Sequence, residues 1–218
     1  MQHLERLHSG SAGMDLSESS FVDCDFTGCN LRAVNLNHAS FKHCEFNDSA
    51  AEQPADLSQS KLHECHFIHC NLSVVEMLRC SAYGVVFEHC QMRGTDLSKS
   101  DFALPIGPSK LADFSMRDCN FSFGNLSSNF LTGCEISGTR LLEACLDYVD
   151  LSEANLANSD LHNIAATGLV ITGADLRGAT FNNLNPHDID LRDVKLYASQ
   201  LLMLVEPIGI QVEVEPTS

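Results

Sequence analysis

Leucine or phenylalanine returns every fifth residue along most of this chain. Leu16, Phe21, Phe26, Leu31, Leu36, Phe41 and Phe46 begin the series. A shifted ladder runs from Leu57 through Leu62, Phe67, Leu72, Phe87 and Leu97 to Phe102, and a third from Met116 to Leu196. Of the 34 positions on these ladders, 26 are Leu or Phe. With 28 Leu and 12 Phe in 218 residues, chance would put about 6 there. A period of five belongs to neither an ordinary helix nor a flat strand. A short strict repeat describes a solenoid, in which each unit buries its apolar face only against its neighbours.

Two residues before each ladder position the side chain is mostly small, as at Cys24, Cys29, Ala39, Cys44, Ser60, Cys65, Thr95, Cys119, Thr139, Ala154 and Ala174. Alternation in an extended segment puts this residue and the ladder residue on one side, so both point inward. The other three positions are rich in Asp, Asn, Ser, Thr and Gly, residues that make turns and bond nearby backbone. Nine of the ten cysteines occupy the small inward position, Cys145 being the exception. They read as small hydrophobes held as thiols. Cys24 and Cys44, and Cys70 and Cys90, are expected to stack within disulfide reach. No paired short Cys spacing of a zinc site is present. His63, Glu64, His66 and His69 resemble a ligand cluster, but their phases point in different directions, and His69 is expected to stack on His89 alone. No metal and no cofactor are expected.

The ladder breaks twice. The step from Phe46 to Leu57 is 11 residues and that from Phe102 to Met116 is 14. Neither is a multiple of five, so the chain must bulge out as loops, about 47–55 and 103–113. Both carry Pro or Gly. After Leu196, residues 198–205 read as a short helix stopped by Pro207, and residues 210–214 alternate as a strand. Leu201, Leu202, Leu204, Val205 and Ile208 supply more apolar surface than one short helix needs. They either cap the last coil or join two chains.

Net charge is -16, with 29 acidic and 13 basic residues. This disfavours direct binding to nucleic acid and suits a basic partner or simple solubility. No apolar run approaches the roughly 20 residues of a membrane span, and residues 1–13 lack a signal core, so a cytoplasmic protein is expected. No nucleophile elbow, phosphate loop or zinc-protease motif occurs. A filled interior offers no obvious pocket, so an enzyme is not expected.

Ala154-Asn155-Leu156-Ala157-Asn158 and Ala174-Asp175-Leu176-Arg177-Gly178 resemble the pentapeptide-repeat consensus of a small residue, Asp or Asn, Leu or Phe, and two variable residues. The resemblance covers about residues 14–196. It implies an all-β chain: a right-handed quadrilateral parallel β-helix, 20 residues per coil, with two projecting loops and a short C-terminal helix. Residues 1–13 would be an N-terminal extension and 197–218 a dimerisation or capping tail. The two unequal loops and the tail Leu201-Leu202-Met203-Leu204-Val205-Glu206-Pro207-Ile208 are similar to the Qnr quinolone-resistance family. That likeness implies a homodimer joined at its C-terminal end that binds DNA gyrase and topoisomerase IV and protects them from quinolones. The carried-over contact loops are Asn47, Asp48, Ser49, Glu52, Gln53 and Pro54, and Ala103, Leu104, Pro105, Ile106, Gly107, Pro108, Ser109, Lys110 and Leu111. The chain departs from the family in having no Trp, a Pro-rich second loop and an extended N-terminus.

Twenty-residue coils would align Asp56, Glu76 and Asp96 as a carboxylate column. A rod about 40 Å long carrying this charge approaches the charge density of duplex DNA, one per about 1.7 Å. The column is read either as DNA mimicry or as acids that bond their own turns. A binding scaffold with no topoisomerase target stands as the alternative function, because fold does not fix function.

Overall fold

A computed structural model describes residues 13–47 and 53–211. The expected N-terminal extension falls almost wholly outside the described residues, as do Asp48, Ser49, Glu52 and residues 212–218. The short strands are β1 (Ser20–Val22), β2 (Ser40–Lys42), β3 (His66–Ile68), β4 (Val85–Glu88), β5 (Ala103–Ile106), β6 (Ser109–Ala112), β7 (Phe114–Arg117), β8 (Asp160–Leu161) and β9 (Thr180–Phe181). One helix, α1 (Leu201–Val205), follows them.

Pairing is parallel and recurs at a fixed interval. Ser20 pairs with Ser40 and His66 with Val86. Asp56 pairs with Glu76, Glu76 with Asp96, and Asn155 with Asp175. Each step is 20 residues, so four five-residue units close one coil of a right-handed parallel β-helix. Two joints are longer. Ser40 pairs with His66 and Val86 with Ser115, so six and nine residues leave the coil there. The register on either side is undisturbed.

The ladder residues fill the interior. Phe21, Phe41, Phe67 and Phe87 stack coil on coil, with centroids 5.0, 4.8 and 5.1 Å apart. Phe26 stacks on Phe46 at 4.9 Å and meets Phe41 edge-on at 5.5 Å. Such offset and T-shaped pairs suit the ring quadrupole. Leucines take over the same positions further along, from Leu126 to Leu176.

The small inward residue has a second use. Ser60 Oγ donates to Leu31 O at 2.7 Å, Thr95 Oγ1 to Leu72 O at 2.6 Å and Ser100 Oγ to Met77 O at 3.0 Å. Cys80 and Cys90 Sγ donate to Leu57 and Phe67 carbonyls at 3.2 and 3.3 Å. Each acceptor belongs to a ladder residue one coil earlier. Serine, threonine and cysteine therefore interchange here because each is small and carries one donor.

The corners fall two residues after each ladder position. Glu18, Asp23, Ala33, His38 and His43 all sit in the left-handed region, at φ of 57°, 53°, 57°, 61° and 53°. Where the next amide reaches back, as Cys29 N does to Phe26 O and Ala39 N to Leu36 O, both at 2.9 Å, the corner is a β-turn. Positive φ at its third residue is the type II signature.

Gln200 finishes the rod. Its side chain is buried. Nε2 donates to Leu176 O at 2.7 Å and Ala179 O at 2.8 Å, while Oε1 accepts from Gly178 N at 3.1 Å and Tyr197 N at 2.8 Å. One amide thus supplies the partners a further coil would have given. The α-helix ends at Val205, ahead of Pro207, as its sequence suggests. Pro207 lies in a 3-10 turn over Glu206–Ile208, near its start, where a missing N–H costs nothing. The chain turns away at Gly209, φ 82°. Ile210 and Gln211, expected to open a strand, are in none.

Gly124 occupies a small inward position beneath a ring, and a methyl group there would overlap Phe121. Gly124→Ala is expected to cost about 1–3 kcal/mol through overpacking, read as a lowered chemical-denaturation midpoint. Adding Phe121→Leu should recover part of the loss, whereas an unshifted midpoint in Gly124→Ala would refute the packing. Gln200→Ala should cost about 2 kcal/mol or more by stranding buried backbone groups, measured the same way.

Candidate functional site

The two insertions leave the rod at opposite corners. The first departs after Phe46, which lies in the column Phe26, Phe46, Leu72. Ala55 N closes it by donating to Phe46 O at 2.8 Å. The second departs after Phe102, two sides further round, and closes where Asp113 N donates to Phe102 O at 3.0 Å. Of the first insertion's expected contact residues, Asn47, Gln53 and Pro54 are described. Asn47 O accepts from Asn71 Nδ2 at 2.8 Å, and Gln53 is exposed.

The second insertion is a β-hairpin. Ala103 pairs with Ala112, Leu104 with Leu111, Pro105 with Lys110 and Ile106 with Ser109. The linking pair is Gly107-Pro108. Gly107 has φ +59° and proline holds φ negative, the combination of a type II′ turn. Two four-residue runs around Gly-Pro carried this signal in the sequence, though the stretch reads there only as a bulging loop. Alternation puts Leu104, Ile106 and Leu111 on one face, and they are 37%, 55% and 48% exposed. Phe114, within the sequence step that marks this insertion, belongs to the rod: it is buried and packs edge-on against Phe102 at 4.7 Å.

Asp56, Glu76 and Asp96 do align on consecutive rungs, with Asn30 below and Asn125 above. Asp56 and Asp96 also serve their own turns: each Oδ1 accepts from the amide two residues on, Ser58 N and Ser98 N, at 2.8 Å. Arg32 approaches Asp56 at 3.8 Å, and Arg79 and Lys99 are exposed three residues beyond Glu76 and Asp96. The column is acidic with basic residues beside it.

The C-terminal end divides its leucines. Leu204 is buried against the last coil and Met203 packs beside it. Leu201 and Leu202 remain 51% and 36% exposed, and Tyr197 and Ile210 are 55% and 48% exposed. Val205 and Ile208 are half-buried. Capping and an exposed apolar surface therefore coexist.

The cysteines are free thiols. Cys24, Cys44, Cys70, Cys90 and Cys119 occupy one inward column, because pairing across both insertions keeps phase. Burial pushes Cys65, Cys80 and Cys134 up to about 12. The histidines of the apparent ligand cluster disperse: His63 Nε2 meets Ser81 Oγ at 2.6 Å, Glu64 lies 3.3 Å from His38, and His69 stacks on His89. His43 joins that stack from below, a neighbour the sequence reading omits because it lies across the first insertion. Among the described residues no helix is long and apolar enough to cross a membrane.

This geometry is that of a pentapeptide-repeat β-helix. The family profile for pentapeptide repeats matches in eight copies over residues 13–48 and 144–183. No curated protein sequence matches the chain. Among solved structures, full-length QnrB1, a plasmid-mediated fluoroquinolone resistance protein, superposes with a TM-score of 0.82. The two are 23% identical over 91% of this chain and 99% of that one. A trypsin-treated variant of QnrB1 gives 0.74 at 26% identity, over 93% and 92%.

Cys145 is the one cysteine that is not buried, with Sγ 3.6 Å from Asp147 Oδ2. A thiol reagent should label Cys145 alone in the native protein and the rest only in denaturant, as read by absorbance and peptide mass. Rapid labelling of several native cysteines would contradict the packed column.

Proposed function

We propose that this chain is a non-catalytic, Qnr-type protein of the cytoplasm. It binds DNA gyrase and topoisomerase IV as a DNA-mimicking homodimer and protects them from quinolones. The likeness to QnrB1 over nearly the full length of both chains carries the reading. Two insertions on a rigid acidic rod support it, because loops held by a rigid scaffold are the usual place for contacts. The hairpin offers Leu104, Ile106 and Leu111 as an apolar contact face. The rod presents carboxylates to a surface built for phosphates. The exposed Leu201 and Leu202 offer a two-fold joint at the C-terminal end, with Leu204, Val205 and Ile208 beneath or beside it.

Charge resemblance by itself would make an inhibitor, since a pure competitor for the DNA site stops the enzyme. Protection requires that the bound protein weaken the drug-stalled complex and then leave. We assign that role to the insertions, which leave the rod at opposite corners.

The test is gyrase supercoiling at a fixed inhibitory quinolone dose with rising amounts of the purified protein. Supercoiling should return. Removing the nine residues 103–111, so that Phe102 joins Ala112 and a five-residue step to Met116 is restored, should abolish the rescue without unfolding the rod. Asp56→Asn, Glu76→Gln and Asp96→Asn together remove charge while leaving amide oxygens for the turns, and should raise the protein needed several-fold. Failure of the intact protein to rescue would move the function to a scaffold without this target. Rescue unchanged by both variants would remove the hairpin and the carboxylates from the mechanism.

A further inference from the structure

One outer corner of the rod carries metal-ligating side chains on five successive rungs. The registers Val22–Lys42–Ile68–Glu88–Arg117 fix the residues next along the chain as a column: Asp23, His43, His69, His89 and Asp118. All five are exposed. The imidazoles of His43 and His69 lie 5.1 Å apart at 7°, and those of His69 and His89 lie 4.9 Å apart at 11°. His89 Nδ1 is 3.9 Å from Asp118 Oδ2. The charged groups beside the column are Lys42, Glu88 and Arg117, and Arg117 is engaged by Glu88.

Each of these histidines stands at a left-handed corner, with φ of 53°, 53° and 52°. Their backbone is held by coil-to-coil bonds: His43 N to Ile68 O at 3.0 Å, His69 N to Glu88 O at 2.9 Å and His89 N to Arg117 O at 3.0 Å. The column is therefore fixed at its base and free at its tips. Three imidazoles in line suit a borderline divalent ion such as Ni(II), Cu(II) or Zn(II) better than Mg(II) or Ca(II), which seek oxygen.

As they stand the rings lie face to face, and among the described residues no three such side chains converge on a point. Convergence requires the side chains to rotate out of this stack. Rungs about 4.8 Å apart place ring nitrogens of adjacent histidines within reach of one ion at about 2.0–2.1 Å from each. His89 is the middle of the best set, with His69 on one side and the Asp118 carboxylate on the other.

We propose that His69, His89 and Asp118 form a surface site for a divalent transition-metal ion. The site is separate from both insertions and from the carboxylate column, so it does not depend on topoisomerase binding. Its ligands come from three coils, and an ion there ties those coils together from outside.

The experiment is calorimetric titration of the full-length, untagged protein with Ni(II) and Zn(II), with Mg(II) as a control. The expected result is one Ni(II) or Zn(II) per chain with micromolar affinity, and no heat from Mg(II). His89→Asn keeps a residue that tolerates the left-handed corner and should weaken binding at least tenfold. Asp118→Asn should weaken it less, and His63→Asn, on another side of the rod, should leave it unchanged. Circular dichroism identifies any variant that has lost its fold. No binding by the intact protein, or equal affinity in folded His89→Asn, would overturn the site.

Discussion

Each coil of this rod bonds most of its backbone to the coils above and below it, and its corner turns close the remaining bonds within the coil. An amide or carbonyl that misses its rung is left without a partner in an interior that excludes water, at a cost of about 1–3 kcal/mol. That constraint explains features with little else in common. Cysteine, serine and threonine share the small inward site because each can donate to a ladder carbonyl one coil away. Gln200 supplies bonds where the coils run out. Both insertions end on a closed backbone bond, Ala55 to Phe46 and Asp113 to Phe102, so that the rungs beyond them resume in phase.

The interior then limits the sequence by volume. Phenylalanine stacks through the early coils and leucine through the later ones, and where a ring reaches too far the opposite position empties, as at Gly124 beneath Phe121. The exterior is freer. It carries the acids, the basic residues beside them and the stacked histidines. The same Asp56 and Asp96 that face solvent also hold their turns, so structural and electrostatic uses of one carboxylate are not exclusive. Charge-neutral amide variants can separate them where alanine would not.

The repeating part of the molecule was legible from residues because it obeys one local rule, repeated: large at the centre, small two before, turn after. Step lengths of 11 and 14 located both insertions for the same reason. What lay off the rule was harder to read. The hairpin was announced only by Gly107-Pro108 between two short runs, and Pro105 argued against a strand there. Gln200 sits in a polar-looking helix start, and its four hydrogen bonds depend on a fold that the local sequence does not describe. His43 belongs with His69 only once pairing is carried across the first insertion. The contact role proposed for the insertions and the proposed joining of two chains depend on surfaces of other molecules, which no internal rule encodes.

The four-unit coil has a consequence for how such a chain can change in length. Adding or removing 20 residues would lengthen or shorten the rod by one rung, about 4.8 Å, and leave every side facing as before. Adding five would leave the interior equally well filled, yet it would rotate everything beyond by a quarter turn. The hairpin would then no longer stand diagonally across from the first insertion, and the carboxylates on either side of the change would lie on different walls. Angular position is thus counted in fives along the chain, and a deletion invisible to the core can redirect the surface.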